Sequence, residues 1–225
     1  MKRIVLLFAL FSCFNLTVFG QVTFVDADAS GNNDGSSWAD AYQSLGDALA
    51  NTSSGELWIA DGTYLPEGGD STSTFLIENS LALYGGFNGT ETLLSERDPA
   101  VNLTILSGDF NGDDMEGVFD MNKEDNALHV VVVDSLLNDP VIFDGLIIQG
   151  GDASTNGDIA SYFWRGGGIL AYSTISVNDC TFRNNFARTG GSICVEEDGD
   201  GSSISESLFT QNRSTNQSAG PYLEN

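Results

Sequence analysis

From residue 141 onward the chain repeats one phrase of alternating apolar and polar positions. Val141-Ile-Phe-Asp-Gly-Leu-Ile-Ile-Gln-Gly-Gly151 is a β-rich run closed by glycines. Ile175-Ser-Val-Asn-Asp-Cys-Thr-Phe-Arg-Asn-Asn185 repeats its alternation, and Ile204-Ser-Glu-Ser-Leu-Phe-Thr-Gln-Asn212 is a third copy. Setting Ile148, Phe182 and Phe209 in equivalence gives spacings of 34 (182 − 148) and 27 (209 − 182) residues, within the ~20–50-residue window of a stacked repeat. Between the copies, Gly166-Gly-Gly-Ile169 and Gly190-Gly-Ser-Ile193 recur 24 residues apart (190 − 166), so a second strand keeps phase with the first. Ser218-Ala-Gly-Pro221 stands where this phrase recurs again, with Ala219 aligned to Gly190.

Upstream the same texture continues. Val22-Thr-Phe-Val25, Leu57-Trp-Ile-Ala60, Thr74-Phe-Leu-Ile77, Leu81-Ala-Leu-Tyr-Gly-Gly-Phe87, Leu103-Thr-Ile-Leu106 and His129-Val-Val-Val-Val133 are short strand candidates separated by Gly, Asn, Asp and Ser. One stretch has a helical period. Residues 37–49 space Trp38, Ala41, Tyr42, Leu45, Ala48 and Leu49 along one face, with Ser36 or Ser37 as cap and Asp40 in the first turn. Strands this brief bury a face only by stacking on their equivalents, about 4.8 Å apart, so the expectation is an all-β parallel β-helix (solenoid) over residues 21–225. The helix would cap its first coil. Gly167, Gly168 and Gly191 suit corners of positive φ or close backbone approach, and the amides of Asn184-Asn185 and Gln211-Asn212 suit bridges between coils. The last coil stops midway, so the domain is expected to be truncated at its C-terminal end and to continue in a longer protein.

Charge narrows the setting. The chain carries 32 acidic against 8 basic residues, a formal net charge of −24. Such a chain repels nucleic acid and anionic membrane. Residues 1–20 read as a secretory signal peptide: Lys2 and Arg3 precede an apolar stretch and a small-residue cleavage context, and the apolar run is too short for a transmembrane span. Outside this leader two cysteines remain, Cys180 and Cys194, expected as small buried apolar residues rather than a disulfide pair.

The candidate chemistry is oxygen-rich. Asp109, Asn111 and Asp113 alternate, and Asp120 follows twelve places along, a spacing that echoes a calcium loop. The pattern departs from an EF-hand at Asp114, where the turn glycine is missing, and at Asp120, where a bidentate Glu is missing. Weaker candidates are Asp26, Asp28, Asn32 and Asp34, and the run Glu196-Glu-Asp-Gly-Asp200. Arg165, Arg183, Arg188 and Arg213 cluster late in the chain near Asp152, Asp158 and Asp179; stacking could form acid/base pairs from them, although ordinary salt bridges between coils are the simpler expectation. His129 opens an apolar Val run and reads as structural.

Phe24-Val-Asp-Ala-Asp-Ala-Ser-Gly31, Asp34-Gly-Ser-Ser-Trp-Ala-Asp-Ala-Tyr42, Trp58-Ile-Ala-Asp-Gly-Thr-Tyr64, Ala82-Leu-Tyr-Gly-Gly-Phe-Asn-Gly-Thr-Glu91, Arg97-Asp98 and Thr104-Ile-Leu-Ser-Gly-Asp109 together resemble secreted right-handed parallel β-helix proteins of the pectin-lyase-like superfamily. The Gly-Gly-x-Ile and Phe-x-x-Asn phrases are also similar to the repeats of chlamydial polymorphic outer-membrane proteins. The resemblance implies a right-handed solenoid on a bacterial surface or in its medium, but no single activity, because the fold hosts lyases, esterases, hydrolases and adhesins. The Gly-His-Gly and Arg-Ile-Lys segments of the polygalacturonases on this fold do not occur here. The expectation is a non-enzymatic binding, adhesive or stalk module that contacts polysaccharide or a surface protein. A lyase-like, calcium-assisted enzyme acting on acidic glycans is the alternative.

Overall fold

A computed structural model describes residues 20–135, 137–154, 164–196 and 199–223. The signal read at residues 1–20, apart from Gly20, lies outside the described residues, as do Asp158, Glu197 and Asp198.

Strands follow one another in circuits. β1 (Val22–Val25) and α1 (Leu45–Asn51) precede β2 (Gly55–Ala60), β3 (Gly62–Tyr64) and β4 (Phe75–Ile77). The second circuit is β5 (Leu81–Phe87), a single 3-10 turn at Leu94–Glu96, β6 (Thr104–Ser107) and β7 (Val131–Val133). The third adds a fourth strand: β8 (Val141–Asp144), β9 (Leu146–Gln149), β10 (Asp152–Ala153) and β11 (Ile169–Ala171). Then come β12 (Ile175–Asn178), β13 (Thr181–Arg183), β14 (Phe186–Thr189) and β15 (Ile193–Val195), followed by β16 (Ser203–Ser205), β17 (Leu208–Thr210), β18 (Arg213–Gln217) and β19 (Pro221–Leu223). Equivalent strands form four sheets: β1-β2-β5-β8-β12-β16, β3-β6-β9-β13-β17, β4-β7-β11-β15-β19 and the short β10-β14-β18. The pairing is parallel in each. The chain is thus an all-β protein of parallel sheets with little helix, an arrangement compatible with a solenoid.

Register follows the apolar pattern, because a slip of one residue would turn every inward side chain to water. Phe182 pairs with Ile148 on one side and Phe209 on the other, the three positions aligned from sequence. The two Phe rings stack at 5.1 Å and 10°. Leu57, Leu83, Phe143 and Val177 form the matching column of the first sheet and are fully buried. Ile193 pairs with Pro221, which sets Gly190 opposite Ser218 rather than Ala219. The reason is backbone conformation: Gly166, Gly190 and Ser218 all take positive φ, at 61°, 61° and 39°. Gly167, Gly168 and Gly191 instead serve close approach, since a Cβ on them would lie 2.2–2.4 Å from a carbonyl oxygen of the neighbouring circuit.

A second corner is held by amides. Gly150, Asn184 and Gln211 turn through positive φ of 76°, 56° and 49°. The next residue then bridges circuits: Asn185 Nδ2 donates to the Ile148 carbonyl at 2.9 Å, and its Oδ1 accepts from Gly151 N at 3.1 Å. Asn212 repeats this one circuit on, donating to the Phe182 carbonyl at 2.9 Å and accepting from Asn185 N at 3.1 Å. Each bond satisfies a backbone group that the corner would otherwise leave buried and unpaired.

The helix is shorter than its periodicity predicts. It begins at Leu45, with Ser44 as N-cap, its side chain accepting from Asp47 N. Residues 37–41 form a turn instead, for two reasons. Tyr42 spends its backbone on β1, donating to the Phe24 carbonyl and accepting from Asp26 N, both at 2.9 Å. Asp40 gathers Asn32 N and the Ser37 hydroxyl. Trp38 anchors elsewhere, its indole N–H on the Glu91 carbonyl at 2.9 Å. Leu45, Ala48 and Leu49 still bury against the core, where α1 packs on β1 and β4. Cys180 and Cys194 are buried thiols, and burial pushes Cys180 up to about 12. No helix among the described residues is long and apolar enough to cross a membrane.

His129 is buried, with Nδ1 3.0 Å from the Gly166 carbonyl, so that nitrogen carries the proton of the neutral ring. Desolvation lowers its pKa from 6.5 to about 4. The unfolded chain therefore binds a proton that the folded one refuses. The contribution of His129 to stability is complete above pH 6.5 and is lost as pH falls toward 4, a loss of about 3 kcal/mol at 1.36 kcal/mol per pKa unit. Urea unfolding of wild type and His129→Gln across this range should show the difference between them shrinking steadily with acid; a constant difference would mean that the ring is not buried neutral.

Candidate functional site

The outward side chains of the second sheet form a column, Ser107 on β6, Gln149 on β9 and Arg183 on β13. Arg183 Nε donates to Gln149 Oε1 at 2.7 Å, which fixes the guanidinium along the sheet. Between β6 and β7 the chain leaves the ladder and folds back as a long acidic loop. Column and loop enclose a cleft of about 510 Å³, also lined by Leu65, Asp109, Phe110, Glu116 and Asn184.

Asp109 organises the loop. It is buried, its Oδ1 accepts from Gly112 N and Asp113 N at 2.8 and 3.2 Å, and its Oδ2 accepts from Asp114 N at 3.1 Å. One carboxylate thus pays for the turn by collecting three backbone donors. On the returning arm, Asp125 Oδ2 accepts from Asn111 N at 2.9 Å. The result is a convergence of three carboxylates. Asp109, Asp113 and Asp125 each place an oxygen within 4.8 Å of the others, twice a Ca–O bond of about 2.4 Å. Partial desolvation and the charges of Asp125 and Asp109 raise the proton affinity of Asp113.

A second network pins the loop to the sheets. Asp114 Oδ2 accepts from Lys123 Nζ, from Asn126 Nδ2 at 3.0 Å and from Asn184 Nδ2 at 3.2 Å. The Asn184 amide closes the clasp from its other end, its Oδ1 accepting from Gly117 N at 3.1 Å. The side chains of Lys123 and Asp114 are only 8% and 6% exposed. Desolvation nevertheless outweighs these partners and raises the pKa of Asp114. Its Oδ1 and the Oδ1 of Asn126 are buried without a hydrogen-bond partner among the described residues.

Of the residues chosen from sequence, Asp109 and Asp113 meet. Asn111 enters through its backbone N–H. Asp120 does not join them: its side chain is 87% exposed and faces Arg213 Nη1 at 3.4 Å. A linear twelve-residue template carries the count past the point where this loop doubles back, so the third carboxylate comes from Asp125. The acidic run Glu124-Asp125 was the available signal, and only loop closure ranks it above Asp120. In the first weaker cluster, Asp26 and Asp34 cap their own turns, accepting from Asp28 N and Ser36 N, and the Ser36 bonds hold Asp34 below the ordinary carboxylate range. Of the late arginines, Arg165 pairs with Glu196 at 2.7 Å, and Arg188 lies over the Trp164 ring. Asp152 accepts from Ser154 N, and Asp179 occupies a corner of positive φ. No family model, curated protein or solved structure matches the chain.

Removing one partner of a buried pair leaves the other charge uncompensated. Lys123→Met should cost about 3 kcal/mol at neutral pH and less in acid, where Asp114 takes up a proton. Urea titrations at neutral and mildly acidic pH measure both; a neutral substitution with no pH dependence would show that the pair does not hold the loop.

Proposed function

We propose that this chain is a secreted or cell-surface right-handed parallel β-helix module that binds polysaccharide without turning it over, with calcium stiffening the loop that walls its cleft. The strand circuits and the pectin-lyase-like motifs support the solenoid. The observation that carries the binding reading is that Asp109 belongs both to the three-carboxylate convergence and to the lining of the cleft over Gln149 and Arg183.

The donor set fits calcium. A hard cation of this kind takes carboxylate oxygens at 2.3–2.6 Å, and Asp109, Asp113 and Asp125 would hold it. Bound there, it would supply positive charge to Asp113, whose proton affinity is raised first by desolvation and then by the charges of Asp125 and Asp109. The floor of the cleft would do the recognition. Gln149, Arg183 and Asn184 offer amide and guanidinium donors for sugar hydroxyls, Glu116 offers an acceptor, and Leu65 and Phe110 offer apolar surface to a ring face. Carboxylates outnumber the one arginine, which favours a neutral polysaccharide. The presence of Arg183 in the same cleft as Asp109, one of the three carboxylates, favours, second, the lyase-like reading.

Calcium at a hundredfold excess over its Kd should stabilise the fold by about 2.7 kcal/mol, seen as a rise in melting temperature that chelator reverses. Asp113→Asn and Asp125→Asn should remove the rise, and Asp120→Asn should keep it. No rise in wild type would sink the calcium reading. Calorimetry against soluble polysaccharides, with and without Gln149→Ala, tests the cleft. Depolymerisation of an acidic glycan that disappears in Arg183→Ala would replace the binding module with an enzyme.

A further inference from the structure

In so acidic a chain, two arginines share a second cleft and rest on aromatic rings. The cleft, about 490 Å³ in volume, lies outside β14 and β18 and is lined by Ser154, Trp164, Phe186, Arg188, Arg213 and Asn216, and also by Thr215 and the carboxylate-bearing Asp120. The Arg188 guanidinium carbon is 4.7 Å from the Trp164 ring centroid. That of Arg213 is 5.0 Å from Phe186 and 5.7 Å from Phe119. Phe119, carried by the acidic loop, meets Phe186 edge-on at 5.5 Å and 70°.

Stacking of this kind fixes the plane of a guanidinium and leaves its N–H edge to meet a planar or tetrahedral oxyanion. The contact of Arg213 with Asp120 is long, 3.4 Å, and 87% of the Asp120 side chain is exposed, so water screens it and a ligand can displace it. Trp164 Nε1 is a buried donor without an acceptor among the described residues. Ser154, Thr215 and Asn216 add hydroxyl and amide groups of the kind that pair with sugar hydroxyls.

We infer that this cleft binds the anionic group, carboxylate or sulfate, of an acidic sugar, with Arg188 and Arg213 as its forks. The hydroxyl and amide lining favours a sugar over an acidic peptide. The site stands on its own residues and does not rest on the calcium or polysaccharide reading of the other cleft.

The test uses the full chain, titrated separately with digalacturonate, a sulfated disaccharide, a neutral disaccharide and an oligoglutamate peptide, and read by calorimetry and tryptophan emission. At least one acidic disaccharide should bind and change the emission, and the neutral one should not; comparing the two acidic sugars identifies the anion. Arg188→Gln and Arg213→Gln should each weaken binding at least tenfold with the melting temperature preserved. If either variant melts early, Arg188→Lys and Arg213→Lys keep the charge without the fork, and a several-fold loss is expected. Neither acidic sugar binding, affinity unchanged in all the arginine variants, or oligoglutamate binding more tightly than both sugars would each overturn the assignment.

Discussion

Parallel backbone pairing between successive circuits is the constraint on which the other features depend. A strand of three or four residues has too little surface to stand alone, and it persists here because an equivalent strand lies on each side, as β9 and β17 flank β13. That pairing requires inward side chains to fall in columns, such as Ile148, Phe182 and Phe209. It also requires each circuit to turn at the same height, which explains why left-handed corners recur at Gly150, Asn184 and Gln211. Each buried apolar side chain in such a column contributes about 1.5–3 kcal/mol, but only while the register holds.

Function is expected where the chain departs from that rule. The connection between β6 and β7 is long, and it is polar and acidic until its returning end, where Ala127, Leu128 and Val130 are buried. Its shape comes from carboxylates acting on backbone N–H groups, with Asp109 turning the chain and Asp114 fastening it to Asn184. Asn184 is also a corner residue of the repeat. The loop is therefore registered to the ladder by a residue whose first duty is to the ladder. One side of the loop faces the cleft over Gln149 and Arg183, while Phe119 and Asp120 face the arginine cleft. A single wall divides two surfaces of different charge.

The alternation of apolar and polar residues, with Gly and Asn at fixed offsets, was enough to specify most strands of the three larger sheets, their parallel equivalence and the burial of Cys180, whereas the short β10-β14-β18 sheet was not read from it. Period-2 patterning and left-handed corners are local properties, and each copy states them again. Helix extent was not decided locally: residues 37–42 have helical spacing, yet Tyr42 gives its backbone to β1. The acidic loop was legible as a cation candidate through Asp109 and Asp113, but Asp125 and the exclusion of Asp120 depend on where the returning arm crosses the outgoing one. The arginine cleft is still further from the sequence, since Trp164, Arg188 and Arg213 come from different circuits and meet only when those circuits stack. Short-range pattern determines what a segment is, whereas the partners of a polar side chain follow from loop closure and stacking, which no local window contains.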